Sequence, residues 1–281
     1  MANTISSPPC LAAPALPGHL ERGADGIWYA HEREPVSYLE EGNAMCFELE
    51  EKSFWFQHRA DCLKVIAHRF PPSGAIFDIG GGNGFVSRTL IDAGFAAVLV
   101  EPGEAGARNA QQRGIGTVIC ATLATANFAA DSLPAAGIFD VLEHVEDSLS
   151  FLREIARCLV PKGRLYVTVP AHPWLWSDDD VAAGHYRRYT LATLQSEVKA
   201  AGFTPLYQSY FFAPLPLPLL ALRCLPSLFG KRALPRKTYR GLHQQRARWL
   251  TDRLWAAECR QIHAGRTIPF GSSCLLVAEK R

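Results

Sequence analysis

The 281-residue chain has no C-x-x-C pair and no histidine at zinc-finger spacing from a cysteine. Its eight cysteines (10, 46, 62, 120, 158, 224, 259 and 274) are scattered, several of them inside apolar runs where a thiol acts as a small buried hydrophobe. This excludes a disulfide framework and predicts a reducing, cytoplasmic setting with no structural metal. There is no excess of one charge either. The balance of 29 basic against 27 acidic residues leaves +2, which predicts no nucleic-acid partner. No charged segment leads into an apolar core at the N-terminus, so residues 1–24, rich in Pro, Ala and Ser, read as a tail and not a signal peptide. No internal repeat is visible. With 48% apolar and 20% charged residues, the composition is that of an ordinary globular protein.

What is present is concentrated at Ile76-Phe77-Asp78-Ile79-Gly80-Gly81-Gly82-Asn83-Gly84. An apolar run reaches an acid and then breaks into glycines, with helix-compatible sequence from Phe85 to Ala93. This is a strand feeding a glycine turn into a helix N-terminus, where free backbone N–H groups and missing Cβ atoms admit a nucleotide-type ligand. Strands predicted at 75–79, 96–100, 117–120, 137–140 and 164–169 alternate with helices at 85–93, 103–113 and 147–159. That alternation implies a parallel sheet covered on both faces. A helical stretch over 37–70 precedes it. A helix at 191–201 follows, then strands near 204–212 and 273–279, paired as an edge hairpin around a helical insertion at 213–268.

The dinucleotide fingerprint G-x-G-x-x-G would need glycine at position 85, where this chain has Phe85. The spacing present is Asp78-x-Gly80-x-Gly82-x-Gly84. Glu101 ends the second strand, placed to accept hydrogen bonds from both hydroxyls of a ribose. The segment from Phe139 through Asp140, Val141, Leu142, Glu143 and His144 to Val145, with the strand entry Leu159-Val160-Pro161-Lys162-Gly163, completes a set of motifs in consistent order. Together these resemble class I S-adenosylmethionine-dependent methyltransferases of the small-molecule type, over about residues 54–212 and the final strand.

The resemblance implies S-adenosyl-L-methionine as cofactor, with Asp78, Gly80, Gly82 and Gly84 at its methionine part and Glu101 at its ribose. Thr122 and Leu123 would lie beside adenine, although many relatives have an Asp in that loop. Asp140 and Val141 would line the pocket floor. Phe54-Trp55-Phe56-x-x-Arg59 resembles an aromatic–arginine lid, in which Arg59 pairs with the methionine carboxylate. A second reading makes Trp55 and Phe56 helix-packing residues.

Histidine suits proton removal from an acceptor because its pKa lies near neutrality. His144, His172 and His185 are the candidates. The segment 169–190 lies after strand five, where acceptors enter such sheets. The acceptor-side candidates are Tyr186, Arg187 and Arg188 of this segment together with Trp55 upstream, the two arginines binding an anionic group or, alternatively, pairing with Asp178–Asp180. Residues 211–229 are strongly apolar but interrupted by prolines, which argues against a spanning helix. Basic residues dominate 231–253. The whole of 211–250 suits peripheral contact with an anionic membrane, a lid over a hydrophobic or lipid-linked acceptor, or a packed cap.

The expected fold is therefore a Rossmann-like three-layer α/β/α sandwich. Its mostly parallel seven-stranded sheet has an antiparallel edge. The expected division is a tail (1–36), a helical lid (37–72), the core (73–212), the insertion (213–268) and a last edge strand (269–281). The expected activity is methyl transfer to a small-molecule acceptor. An NAD(P)-dependent oxidoreductase and a catalytically silent cofactor-binding module are the rivals.

Overall fold

The computed structural model describes residues 16–32, 47, 49–228 and 248–281. Among the described residues nine strands form one sheet: β1 (Glu21–Arg22), β2 (Trp28–Tyr29), β3 (Ile76–Ile79), β4 (Ala97–Val100), β5 (Val118–Cys120), β6 (Leu133–Phe139), β7 (Leu159–Pro170), β8 (Phe203–Phe211) and β9 (Ser273–Lys280). Their spatial order is β1-β2-β5-β4-β3-β6-β7-β9-β8. Neighbours from β2 to β7 run parallel, and β9 lies antiparallel between β7 and β8.

The strand count corrects the expectation of seven. The two extra strands come from 21–29, a stretch read as part of the tail. A two-residue strand has no periodicity to detect. Its hairpin is closed at Asp25-Gly26, where Gly26 takes φ +85° and the Asp25 carboxylate accepts from Ile27 N (3.1 Å) and Tyr29 Oη (2.8 Å). Ile27 is fully buried beneath it. Two other strands start earlier than their hydrophobic runs suggest. β6 begins at Leu133 and absorbs Pro134 at a register shift. β7 begins at Leu159 and runs through Lys162 at φ +63° instead of stopping in a turn.

Helices cover both faces. Period-2 alternation decides which side chains go where: Phe77, Ile79, Leu165, Val167 and Val169 join one buried cluster, while Ile76 and Tyr166 join the other. The first cluster is closed by α5 (Ser148–Cys158) through Leu152 and Ile155 and by α7 (Leu191–Ala200) through Leu194 and Val198. On the opposite side lie α1 (Phe54–Arg69), α2 (Phe85–Asp92) and α8 (Arg248–His263), contributing Leu63, Ile66, Leu90 and Ile262. The smaller α3 (Glu104–Gln112) packs Ala107 and Ala110 on Leu99. Two short helices, α4 (Leu123–Ala126) and α6 (Asp178–Ala182), follow β5 and β7.

Helix α1 starts where Ser53 Oγ accepts from Trp55 N (3.3 Å) and ends before Pro71. Residues 33–46, the front of the expected lid, lie outside the described residues. Between β8 and β9 the chain forms a helical run from Pro216 to Leu228 and then α8. Most of the basic stretch, through residue 247, also falls outside the described residues. No described helix is long and apolar enough to cross a membrane.

Candidate active site

The carboxyl ends of β5, β4, β3 and β6, adjacent in that order, open into one cavity of about 560 Å³. Parallel strands bring their C-terminal loops to a single edge, so residues far apart in sequence meet there.

At β3, Asp78 is buried and its carboxylate accepts from Ser87 Oγ (2.6 Å). Burial pushes its pKa up to about 6, partly offset by the Ser87 bond and by Arg59. Gly80 and Gly82 have φ +74° and +54°, and a Cβ on Gly80 would stand 2.8 Å from Val141. Both glycines line the cavity. Gly84 does not: a Cβ there would meet Ile115 and stand 2.9 Å from the Cβ of Ala110. It is a packing glycine, letting the turn settle on α3, and the expected ligand contact is corrected to that.

Glu101, at the end of β4, ties two turns together. Its Oε2 accepts from Gly82 N (2.8 Å) and its Oε1 from Gly103 N (2.9 Å), which fixes the carboxylate on the cavity wall. Thr122 caps α4 through a reciprocal box with Thr125, and Ala121, Thr122 and Leu123 form that wall.

On the β6 side, Asp140 sits at φ +58° with its amide donating to Thr168 O and its Oδ1 accepting from Thr168 Oγ1 (3.0 Å). Its Oδ2 pairs with Arg59 Nη1 of α1. Arg59 lies over the rings of Trp55 (4.8 Å) and Phe56 (5.3 Å). Its Nε is buried and has no partner among the described residues. Phe56 lines the cavity, whereas Trp55 stacks on Phe212 at 5.4 Å, which fits the packing reading for Trp55. Val141 lines the floor.

The three histidines separate. His144 lines the cavity, and burial, with His185 alongside, lowers its pKa to about 4. The ring of His185 meets it edge-on at 4.7 Å, and Nδ1 of His185 is 2.9 Å from Asp180 Oδ1. His172 is stacked among Trp174, Tyr210 and Phe270 and lines no part of the cavity, so the structure removes it from the candidates.

Tyr186 borders the cavity and is exposed. Arg188 forks onto buried Asp180 (2.7 and 3.0 Å) and donates to Ala171 O, and Arg187 donates to Ser148 Oγ and Glu146 O. For Arg188 the acceptor-binding expectation is corrected to the ion-pair reading, whereas Arg187 makes neither contact and is held by Ser148 and the Glu146 carbonyl. Desolvation of a carboxylate as buried as Asp180 requires such a partner.

Sequence reasoning missed a polar layer behind the glycine turn. Buried Asn83 donates to Glu50 Oε1 (3.1 Å) and accepts from Asn109 Nδ2 (2.8 Å), while Arg113 pairs with Glu50 Oε2 (2.8 Å). It also missed Glu143, 1% exposed, whose carboxyl is held far above the usual range by burial and by Asp140. An Asn among glycines and an acid beside His144 were the available signals; neither says what it will face.

A methyltransferase-domain family model matches residues 53–208. No curated protein matches the sequence. A phosphoethanolamine N-methyltransferase 2 from Haemonchus contortus, solved with S-adenosylhomocysteine, shares the fold at TM-score 0.52 and 18% identity, over 78% of this chain and 52% of its own; the chain thus spans about half that protein. A possible histamine N-methyltransferase from Thermotoga maritima aligns at TM-score 0.53 and 16% identity, covering 86% of this chain and 100% of its own. An S-adenosylmethionine-dependent methyltransferase from Mesorhizobium loti aligns at 0.51 and 16%, covering 76% and 95%.

Proposed function

The chain belongs to the methyltransferase-domain family, and from that footing we propose how its cavity works and what it accepts. The cofactor is S-adenosylmethionine, whose sulfonium supplies an electrophilic methyl group when bound. The observation that carries the reading is Glu101, a buried carboxylate at the end of β4 that lines the cavity and is fixed in place by Gly82 N–H and Gly103 N–H.

In this reading the cofactor lies across the strand ends. Glu101 accepts from the ribose hydroxyls, Thr122 and Leu123 flank the adenine, and Gly80 and Gly82 let the ligand approach the backbone. Arg59 offers its unpartnered Nε to the methionine carboxylate while Asp140 holds the guanidinium in place. Phe56 of α1 covers the methionine end.

The proton-accepting candidate is His144. With its pKa near 4 it is neutral at physiological pH, able to accept a proton but only weakly basic. That suits an acceptor whose proton is already labile. His185 acts through it, by ring contact and the Asp180 bond, as a positioning residue.

A hydrophobic or lipid-linked acceptor is supported by the helical run 216–228. Arg223 pairs with Asp179 (3.2 Å) and Ser227 Oγ accepts from Asp178 N (3.1 Å), which ties this run to the segment that orients His185. Leu217, Leu222 and Leu225 of the run are exposed, as are Trp174 and Phe270. Replacing the three leucines by serine is expected to lower turnover of a prenyl- or acyl-linked acceptor and spare a short polar analogue. Equal loss on both would sink this part of the reading.

The cofactor site is tested by calorimetric titration with S-adenosylhomocysteine. Glu101→Ala removes two charge-assisted bonds and should weaken binding by about 10-fold or more. Binding as tight as that of the parent chain would overturn the assignment.

A further inference from the structure

Where α1 packs against α8, three metal-ligating side chains converge outside the site described above. His58 and Cys62 stand four residues apart, on one face of the helix. Cys259 reaches them from α8, 197 residues beyond Cys62. The two sulfurs are 3.8 Å apart, Cys259 Sγ is 4.0 Å from Nδ1 of His58, and Cys62 Sγ is 3.6 Å from Nε2 of the same ring. One ligand atom from each residue lies within 4.8 Å of the others. Both cysteines are free thiols.

These separations are those of a tetrahedral thiolate–imidazole site. With zinc–sulfur bonds of about 2.3 Å and zinc–nitrogen bonds of about 2.0–2.1 Å, tetrahedral angles place sulfurs about 3.8 Å apart and sulfur about 3.6 Å from nitrogen. The sulfur pair already has the first spacing, and a few tenths of an ångström would bring Cys259 Sγ and Nδ1 to the second; Cys62 Sγ, now nearer Nε2, has to swing toward Nδ1 for one ion to reach all three. A disulfide would need the sulfurs at about 2.05 Å.

The surroundings match the site. Nε2 of His58 bonds to Glu258, whose carboxylate also accepts from Phe212 N (2.8 Å) and Ala213 N (2.9 Å). A carboxylate on the far nitrogen of a ligating histidine sets its tautomer and leaves Nδ1 to bind metal. His58, Cys62 and Glu258 are buried beside Phe212 and Trp255, and Cys259 is half-buried, leaving an approach from its side.

We propose that His58 Nδ1, Cys62 and Cys259 bind one zinc-type divalent cation, oriented by Glu258, with water in the fourth position. Binding displaces one proton from each thiol, so that two thiolates neutralise the dication in a buried place. The ion would staple α8 to α1, the helix that also brings Arg59 and Phe56 to the cavity. No linear spacing reveals such a site, because its ligands come from opposite ends of the chain.

The test uses the full reduced chain without a histidine tag, stripped by chelator and titrated with zinc and separately with cobalt. One equivalent should bind, cobalt should show sulfur-to-metal charge-transfer absorption, and zinc should protect two thiols from a thiol reagent. Cys62→Ser and Cys259→Ala should each abolish the charge-transfer band, and Glu258→Gln should keep it while weakening affinity by about 10- to 100-fold. Half-buried Cys259 is the variant least prone to misfold, and the thiol-protection measurement needs no variant. No stoichiometric binding, a cobalt spectrum without sulfur character, or a Cys62–Cys259 disulfide in chain purified without reductant would each overturn the proposal.

Discussion

Arg59 and Asp140, 81 residues apart, form an ion pair between α1 and the loop after β6, with both side chains largely shielded from water. One partner comes from a helix outside the strand–helix alternation and the other from its centre, so the pair binds α1 to the sheet edge where the cavity opens. Arg59→Ala would leave the Asp140 carboxylate shielded and without its counter-charge. The expected cost is about 3 kcal/mol in urea unfolding, together with weaker S-adenosylhomocysteine binding. Arg59→Lys should recover part of the stability and little of the binding, because a point charge cannot reproduce the fork.

Gly84 separates packing from ligand contact. Its φ of +77° and the nearby Ala110 mean that Gly84→Ala suffers both backbone strain and overpacking, together about 2–4 kcal/mol. Gly202→Ala is the control: it has φ +100° but no atom within 4 Å of the added Cβ, so only the strain remains, about 1–2 kcal/mol. Equal melting temperatures for the two variants would remove the packing role.

His144 makes stability depend on pH. Its pKa falls from 6.5 to about 4 on folding, so between those values the unfolded chain binds more protons and stability rises with pH. Asp78, raised from 3.8 to about 6, works in the opposite direction over nearly the same window. The parent profile therefore mixes the two, and the difference between parent and His144→Gln isolates the histidine. Urea unfolding should show that difference moving by about 3 kcal/mol in favour of the parent as pH rises through the window. A constant difference would mean that His144 titrates normally.

Arg188 and Arg187 should behave unlike each other. Arg188→Ala takes the guanidinium from Asp180, 1% exposed, leaving it hydrogen bonds to His185 and Ser177 among the described residues, and is expected to cost about 3 kcal/mol. Arg187→Ala loses hydrogen bonds to Ser148 and Glu146 at the margin of the fold and should cost about 1 kcal/mol. The ranking is read from denaturant midpoints, and its reversal would contradict the ion-pair assignment.

The sheet was legible because its strands are short apolar runs ending in acids or glycines, and because local spacing alone creates the turn at Asp78–Gly82. The position of Glu101 on the cavity wall was legible for the same reason: it follows directly from the end of one strand. The hairpin at 21–29 was not, since two residues per strand have no period and its pairing partner, β5, lies about 90 residues away.

The sequence by itself determined the strand–turn–helix cradle, the acid after β4 and the order of the layers, all set by backbone preferences and the alternation of side chains. Only the tertiary structure decided which charged groups meet. It gave Arg188 to Asp180, Arg59 to Asp140, His144 to the cavity and His172 to an aromatic stack, and it brought Cys259 to Cys62. The physical reason is that a buried polar group must find a partner in space, and folding chooses that partner without regard to distance along the chain.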